Sequence, residues 1–291
     1  MDETESKFYK GVALDPSPRT RLEDGSQELT MRAMDLICPI GMGQRGLIVA
    51  PPGSGKTTFL KHICHALAKS QPAMKLYCLL VNERPEEVTD FKRSVPADVR
   101  SSSSDETYDH HIYMADTLMR QAVREAGAGQ NVMIVIDSLT RLSRVHNAQS
   151  RSSGRTLSGG VDARALEAPR RIFGTARKIE NGGSLSILAT ILVQTGSRMD
   201  EVIFEEFKGT GNMEIVLSRD ISSRRIYPAI DISKSGTRKE ELLLTPGELE
   251  SVRKLRRKLL EQGPVEAAQT LVGLLQKYPT NQELLAAFSK V

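Results

Sequence analysis

Short, nearly continuous runs of apolar residues recur along this chain and alternate with stretches of helical periodicity. Runs of this length are typical of parallel strands that are covered on both faces. They predict strands over residues 46–50, 76–81, 132–137 and 184–193. The stretches between them predict helices over residues 57–68, 85–93, 108–126 and 162–180. This β-α-β alternation predicts an α/β fold with a doubly wound, mainly parallel sheet flanked by helices.

Two weaker patterns complete the organisation of the chain. The polar segment 101–104 fits a weak edge strand or a loop. Residues 252–260 place Val252, Leu255, Leu259 and Leu260 at helical spacing, so the basic run 253–258 is interpreted as the solvated face of an amphipathic helix and not as an RNA site. The predicted divisions are a lead-in segment 1–45, a nucleotide-binding core 46–245 and a helical extension of the same domain at 246–291.

The amino-acid composition excludes some classes of protein but does not indicate a function. The 291 residues are 39% hydrophobic and 26% charged, which is ordinary for a soluble globular protein, and a net charge of +4 is too small to indicate nucleic-acid binding by itself. No apolar stretch reaches the length needed to span a bilayer, and the acidic start is unlike a signal peptide. Cys38, Cys64 and Cys78 lack metal-ligand spacing, so they are predicted to be reduced and buried in a cytoplasmic protein without a membrane partner.

A phosphate-binding loop follows the first predicted strand. Residues 50–57 read Ala-Pro-Pro-Gly-Ser-Gly-Lys-Thr, which is a small residue, four spacers and Gly-Lys-Thr. Backbone amides of such a loop cradle phosphate oxygens, the lysine reaches the outer phosphates, and the threonine hydroxyl binds Mg²⁺. The sequence therefore predicts nucleoside triphosphate binding by Pro52, Gly53, Ser54, Gly55, Lys56, Thr57 and Thr58.

Two acidic residues end the next predicted strands. In an open α/β sheet the ligand lies at the carboxyl edge of the strands. Glu83 at that edge fits the activation of the water that attacks the γ-phosphate, or equally an ion pair with Arg84 or a nearby lysine. Asp137 ends an apolar strand roughly 80 residues after Lys56, which is the pattern of the carboxylate that orders Mg²⁺.

The flanks of these motifs resemble the bacterial transcription termination factor Rho family. The similarity runs from about Leu14 to the end of the chain, and its later segments are far more specific than a phosphate loop. The segments that carry it are CPIGMGQRGLIVAPP (38–52), NERPEEV (82–88), DSLTRL (137–142), LSGGVDA (157–163), DEVIFEEFKGTGNME (200–214) and SGTRKEEL (235–242).

The resemblance implies a RecA-like ATPase domain that forms a homohexameric ring and pulls single-stranded RNA through its centre during transcription termination. ATP and Mg²⁺ are then the cofactors, and RNA polymerase is a further partner. Lys56 and Thr57 would hold phosphate and metal, Glu83 would activate water, and Asp137 would order the metal.

The resemblance also gives roles to residues that spacing alone does not single out. Arg238 matches an arginine finger that reaches the ATP of the neighbouring subunit, and Arg225 and Arg84 match supporting basic residues. Tyr227 falls where the family stacks an aromatic ring on adenine. Without the resemblance, Tyr227 would be interpreted as a strand residue of the core.

Two polar loops match RNA-gripping elements of the family. They span residues 150–160 and 195–200, and composition alone would favour solvated loops. Arginine, hydroxyls and free backbone amides suit contacts with sugar and phosphate. The resemblance assigns RNA contacts to Arg155, Thr156, Ser158, Gly159, Gly160, Gly196, Ser197 and Arg198.

The chain departs from the family pattern at four of these positions. The family commonly has lysine at Gly53 and aspartate at Asn82, and it has lysine where this chain has Arg155 and Arg198. Arginine keeps the positive charge of lysine but spreads it over a planar guanidinium group that can donate two parallel hydrogen bonds. Turnover rate and RNA preference are therefore not fixed by the resemblance.

A larger departure is the expected absence of the family's N-terminal RNA-binding barrel. Only about 45 residues precede the loop, without a run of short strands and interleaved aromatics. An excised motor domain and a shortened paralogue both fit, and Met1 does not decide between them.

Two other functions stay open from the sequence. A rotary ATP synthase-type subunit shares the Pro-Ile-Gly-x-Gly-Gln-Arg lead-in, although segments 158–163 and 200–214 argue against it. An ATP-binding paralogue that regulates Rho rings with weak turnover is the other, kept open by Gly53 and the missing barrel.

Overall fold

The computed structural model describes residues 2–23, 28–150, 158–162 and 164–289. Strands and helices alternate through most of the chain, and helices alone form its C-terminal end. The strands are β1 (Ala13–Leu14), β2 (Arg19–Thr20), β3 (Ile40–Gly41), β4 (Arg45–Ala50), β5 (Lys75–Glu83), β6 (Asp98–Ser103), β7 (Asn131–Asp137), β8 (Arg177–Ile179), β9 (Ser184–Leu192), β10 (Met213–Val216) and β11 (Gly236–Thr237). The helices are α1 (Glu3–Lys10), α2 (Leu29–Ile37), α3 (Lys56–Ser70), α4 (Pro85–Ser94), α5 (Tyr108–Gly127), α6 (Leu139–Gln149), α7 (Glu167–Gly174), α8 (Arg198–Phe207), α9 (Arg219–Ser223), α10 (Pro246–Leu260), α11 (Pro264–Lys277) and α12 (Asn281–Ser289).

The main sheet has the strand order β11-β10-β4-β9-β7-β5-β6. Neighbours from β10 to β6 pair in parallel, whereas β11 pairs antiparallel with β10. The phosphate-loop strand β4 thus lies between β9 and β10, and β7 lies between β9 and β5. Because the strands are parallel, the carboxyl ends of β4, β5 and β7 meet at one edge of the sheet, as the sequence predicted.

Alternate residues of each strand enter two separate apolar cores. Ile48, Cys78 and Met133 face a core that contains residues of α2, α3, α4, α10, α11 and α12. Leu47, Leu79 and their neighbours face a second core built with α1, α5, α6, α7 and α8. Burial on both faces explains why these strands have continuous apolar runs rather than alternating ones. The shared core of α3 and α10–α12 supports our proposal that residues 246–291 extend the same domain as 46–245.

The prediction of one long helix over residues 162–180 is wrong. Within the described residues of this stretch, α7 covers only Glu167–Gly174, and the chain then forms β8, which pairs antiparallel with the start of β9. Pro169 is tolerated only in the first turn of a helix, which fixes the start of α7 close before it. The turn after β8 contains Asn181 with φ 51° and is closed by the hydrogen bond from Ile179 N to Gly183 O at 3.0 Å.

The other strand and helix predictions agree with the structure to within two or three residues. Residues 101–103 belong to β6, an edge strand that pairs in parallel with β5, and Ser104 lies in the turn that follows. All three cysteines are buried and unbridged. Among the helices that the structure describes, none is both long and apolar enough to cross a lipid bilayer.

Candidate nucleoside triphosphate site

The loop between β4 and α3 has the backbone that phosphate binding requires. Gly53 and Gly55 have φ angles of 75° and 88°, in the left-handed region that favours glycine. A Cβ at Gly53 would meet nothing within 4 Å, so backbone conformation and not space accounts for glycine there. Lys56 is the first residue of α3, which aims the positive end of the helix at the loop.

Lys56 brings the predicted loop and both predicted acids together. Its Nζ lies 2.5 Å and 2.6 Å from the two carboxylate oxygens of Asp137 and 3.8 Å from Oε1 of Glu83. A residue of β9 also contacts Asp137. The hydroxyl of Thr190 donates a hydrogen bond to Oδ1 of Asp137 at 2.7 Å. Both acids are almost fully buried. Lys56 is therefore held by two carboxylates, and it would have to leave them to contact a bound phosphate.

Glu83 is aimed by an irregularity at the end of β5. The pairing register of β5 with β6 shifts between Val81 and Glu83, and Asn82 has a left-handed φ of 55°. Asparagine adopts this conformation more readily than most residues, and bulges of this kind redirect side chains next to active sites. Asn82 at the position of the family aspartate is thus compatible with this backbone.

The carboxyl of Glu83 has a strongly perturbed environment. Burial and the negative charge of Asp137 raise its pKa to about 7, against the opposing effect of Lys56 and Arg141. Arg141 reaches Glu83 from α6 with an Nη2–Oε2 distance of 2.9 Å, and it also donates to the carbonyl of Asn82. A base with a pKa near neutrality is suited to accept a proton from water.

The donor set suits Mg²⁺ held together with phosphate. Thr57 follows Lys56 in the first turn of α3, and Lys56 contacts Asp137, which places one hydroxyl and one carboxylate at the loop. Mg²⁺ in such sites takes one or two protein oxygens besides phosphate and water. Across the described ranges, no group of three or more His, Cys, Asp and Glu residues forms a metal cluster. These residues fit a metal that arrives with the nucleotide.

Tyr227 lies against the phosphate loop. A Cβ built on Gly55 would lie 3.4 Å from Cε1 of Tyr227, and the phenol hydroxyl is 3.4 Å from the carbonyl of Ser222. Tyr227 is 45% exposed and forms one wall of a cavity of about 470 Å³ that also contacts Thr58 of the loop. Aromatic carbons of Tyr227 thus lie beside the phosphate loop, and the stacking of this ring on adenine stays a prediction.

The three predicted arginines do not join this cluster. Arg84 is exposed and lies 3.7 Å from Glu87, and Arg225 is exposed in a turn with φ 61° after α9. Arg238 lies at the other end of the sheet. Thr237 pairs with Met213 and Met213 with Gly46 near the start of β4, whereas the phosphate loop follows the end of that strand.

The two candidate RNA loops meet each other. Gly159, with φ 75°, packs so closely that a Cβ there would lie 2.9 Å from backbone atoms of Arg198 and Met199. Gly196 has a φ of 77°, and Ser197 is the N-cap of α8. Arg155 and Thr156 lie outside the described residues, as does the side chain of Ser158.

An ion pair joins the second loop to α6. Arg144 donates to both carboxylate oxygens of Asp200, at 2.8 Å and 2.5 Å, and Thr195 donates to the same carboxylate at 2.6 Å. Asp200 is 1% exposed. Since α6 starts two residues after Asp137, one rigid helix connects the loop to the phosphate site.

Sequence reasoning missed several residues of the site. Arg141 and Thr190 contact the two acids, and Arg144 and Asp200 connect the loop. Arg141 and Arg144 lie on the first turns of the helix that starts directly after Asp137. Their position close behind Asp137 was the feature of the sequence that could have placed them near the site.

Comparison with known proteins gives the family context of this geometry. Residues 30–237 match the sequence model of the ATP synthase alpha/beta family, nucleotide-binding domain. The chain is 49% identical over 285 residues to transcription termination factor Rho of Aquifex aeolicus, covering 97% of this chain and 65% of that protein. It is 49% identical over 286 residues to Rho of Haemophilus influenzae, covering 97% of this chain and 68% of that protein.

Solved structures show the same fold at lower identity. An ATPase from the type III secretion system of pathogenic bacteria superposes with a TM-score of 0.77 at 22% identity, covering 95% of this chain and 85% of that chain. The chain spans 65% and 68% of the length of the Aquifex aeolicus and Haemophilus influenzae Rho proteins and 41% of the length of Rho of Micrococcus luteus, to which it is 50% identical.

Proposed function

Because the chain belongs to the transcription termination factor Rho family, within the ATP synthase alpha/beta nucleotide-binding group, we propose that it is the RNA-dependent ATPase motor of a ring that moves along RNA in transcription termination. The observation that carries the proposal is the position of Lys56 between Asp137 and Glu83 at the phosphate loop. In this proposal Lys56 would contact phosphate, Asp137 would bind the metal and Glu83 would act as the base, all at one edge of the sheet.

These side chains would share the steps of ATP hydrolysis. Lys56 would leave the carboxylates and contact the outer phosphates, and Thr57 and Asp137 would hold Mg²⁺, which neutralises charge that develops on the phosphates. Glu83, freed of its lysine, would accept the proton of the attacking water. Arg141 would keep the Glu83 carboxylate in place, since it binds both that carboxylate and the preceding carbonyl.

The RNA loops would act on this chemistry through α6. RNA phosphates held by Arg198 and the backbone around Gly196 and Ser197 would shift the loop that Asp200 anchors to Arg144. Because Asp137, Ser138 and α6 are continuous, such a shift would reach the metal ligand and Arg141.

The proposal includes the partners that the resemblance implied. A homohexamer is supported by the distance of Arg238 from the phosphate loop of its own chain, since a finger placed there serves a neighbouring subunit. The proposed partners are single-stranded RNA in the ring centre and RNA polymerase. Because bacterial transcription takes place in the cytoplasm, we propose that location for this protein.

The deciding experiment measures ATP hydrolysis with and without polypyrimidine RNA. Strong stimulation by RNA is expected. A rate of ATP hydrolysis that does not change when RNA is added would favour the rotary type of ring ATPase. Nucleotide binding without turnover would favour a regulatory paralogue. Either outcome would overturn the motor proposal.

Replacing Arg198 with alanine should abolish stimulation by RNA while leaving ATP binding without RNA intact, because the side chain lies outside the phosphate site. The salt dependence of RNA binding should become shallower by about one unit of slope per lost phosphate contact. Arg155→Ala should behave alike. Arg170→Ala, which removes an arginine paired with Glu206 between α7 and α8, is the matched control. Full RNA stimulation in both loop variants would remove these loops from the RNA path.

The pH dependence of hydrolysis should report Glu83. A base must be ionised, and the pKa of Glu83 is raised from 4.5 to about 7, so kcat/KM should fall as the pH is lowered below 7, towards tenfold per unit. Nucleotide affinity, measured separately, should not follow the same curve. An acid limb centred near the ordinary carboxyl pKa would contradict the assignment.

A further inference from the structure

A second cavity, of about 580 Å³, adjoins both candidate RNA loops and the start of α5. Its lining includes Gly159 of the first loop, Arg198 of the second loop and Arg144 of α6. Tyr108, the first residue of α5, also lines this cavity, and none of the roles above uses it. A cavity of this volume lies in the range of ligand-binding pockets, so it has room for a nucleobase.

Tyr108 is a large aromatic side chain that remains accessible to solvent. It is 51% exposed, whereas His111, one turn later on α5, is 1% exposed. The centroids of the two rings lie 6.3 Å apart, with an angle of 53° between their planes. The tyrosine ring therefore lies next to a buried residue while about half of its surface stays free for a ligand. Because a tyrosine side chain has only two rotatable angles, it loses little conformational entropy when it packs against one.

The charges of the cavity favour an anionic ligand. Its described lining residues include two arginines and no acidic residue. Arg144 is paired with Asp200, and Arg198 is exposed. An accessible aromatic ring and a cation in one cavity are the combination that binds single-stranded nucleic acid, since bases stack on the ring and the cation contacts the phosphates.

The amide side chain of Asn147, on the α6 side of the cavity, is already engaged. Its Nδ2 donates to the carbonyl of Gly160 at 3.2 Å, and its Oδ1 accepts from the backbone amide of Asp162 at 2.8 Å. Both amide atoms thus contact the chain just after the first loop, which favours stacking over recognition of a base edge at this position. Stacking tolerates any sequence, because every base has a π-face.

The start of α5 is connected to the first loop. Gln149, the last residue of α6, donates from its Nε2 to Oδ1 of Asp109, the residue after Tyr108. The N-cap Thr107 accepts a hydrogen bond from the backbone amide of His110 at 3.3 Å. These contacts hold the backbone of Tyr108 next to the end of α6, from which the first loop leaves.

We propose that Tyr108 stacks on a base of the bound RNA and adds a base contact to the phosphate contacts of the two loops. The ring would hold the base while Arg198 contacts a phosphate of the same strand. A contact that tolerates any sequence suits a ring that moves along RNA. This inference rests on the proposed RNA-dependent function and names a further residue that contributes to its RNA affinity.

Fluorescence anisotropy of two labelled probes tests the inference on the full chain, with Mg²⁺ and a non-hydrolysable ATP analogue present. One probe is oligouridylate, and the other is an oligomer of the same length with ribose and phosphate but no bases. The parent should bind the abasic probe more weakly by about fivefold or more, since stacking on one aromatic residue contributes at least this factor. Tyr108→Ala should weaken binding of oligouridylate by a similar factor and change binding of the abasic probe by less than about twofold.

Matched variants separate stacking from a structural effect. Tyr108→Phe keeps the ring and should bind oligouridylate like the parent. Tyr113→Ala removes a tyrosine of the same helix that is 64% exposed and does not line the cavity, and it should also bind like the parent. Because Tyr108→Ala removes no charge, the salt dependence of its RNA binding should keep the parental slope, in contrast to Arg198→Ala.

The outcomes distinguish this inference from the proposed function. Equal affinity of the parent for both probes, parental affinity of Tyr108→Ala for oligouridylate, or an equal loss on both probes would overturn the role of Tyr108 and leave the motor proposal in place. Failure of the parent to bind either probe would overturn both proposals. The comparison of the two probes on the parent does not depend on whether a variant folds.

Discussion

Alanine at Arg238 is expected to lower RNA-stimulated ATP turnover by a factor of about 10³ or more, the loss typical of a missing arginine finger. The structure separates Arg238 from Lys56 by the length of β4, because Arg238 follows the strand that pairs near Met213 and Gly46. The side chain is exposed at that end of the sheet. Its guanidinium can therefore serve a phosphate only across a subunit interface, and assembly should be required for activity.

Mixed rings test action across the interface. An Arg238→Ala chain and a Glu83→Gln chain are each expected to be inactive alone. Mixing them should restore part of the hydrolysis, since one kind of mixed interface joins an intact Glu83 to an intact Arg238. Lys239→Ala, which removes the neighbouring exposed cation paired with Asp15 at 2.8 Å, is the control and should keep turnover within about twofold. Rings that demonstrably assemble from both chains without any recovery would contradict the assignment.

The parts that sequence predicted well depend on strong local signals. Continuous apolar runs identified the four main strands, because a strand buried on both faces tolerates few polar residues. Glu83 and Asp137 were found because each follows such a run, and parallel strands place their ends at one edge. Lys56 then meets both acids in the structure, at 3.8 Å and 2.5 Å.

The parts that sequence missed depend on contacts between distant segments. Arg141 lies 58 residues after Glu83 in the chain but 2.9 Å from its carboxylate, and no periodicity predicts that pairing. The orientation of Glu83 depends on one left-handed residue, Asn82, within an otherwise regular strand. The helix predicted over 162–180 failed because the residues of β8, near its end, pair with β9 across a glycine-containing turn, and strand pairing outweighs local helical spacing.

Glutamine at Glu83 is expected to leave Mg²⁺–ATP affinity close to that of the parent and to lower hydrolysis by about 10²–10⁴-fold, the usual contribution of a positioned base. The amide has the same size, so Lys56 and Asp137 keep their contact at 2.5 Å. Arg141, now 2.9 Å from Oε2 of Glu83, also keeps its hydrogen bond to the carbonyl of Asn82, which the substitution does not touch. What is lost is the group that accepts the proton from water, a change felt in the transition state and not in the bound ground state.

Comparison of Lys56→Ala with Glu83→Gln separates nucleotide binding from hydrolysis. Lys56→Ala removes a phosphate contact that exists in both states, so affinity and hydrolysis should fall together. It also leaves two buried carboxylates facing each other without their cation, which adds a cost to placing phosphate there. Affinity from displacement of labelled ATP and turnover from phosphate release distinguish the two variants. Hydrolysis by Glu83→Gln at the parental rate would contradict the base assignment, and unchanged affinity in Lys56→Ala would remove the loop lysine from ground-state binding.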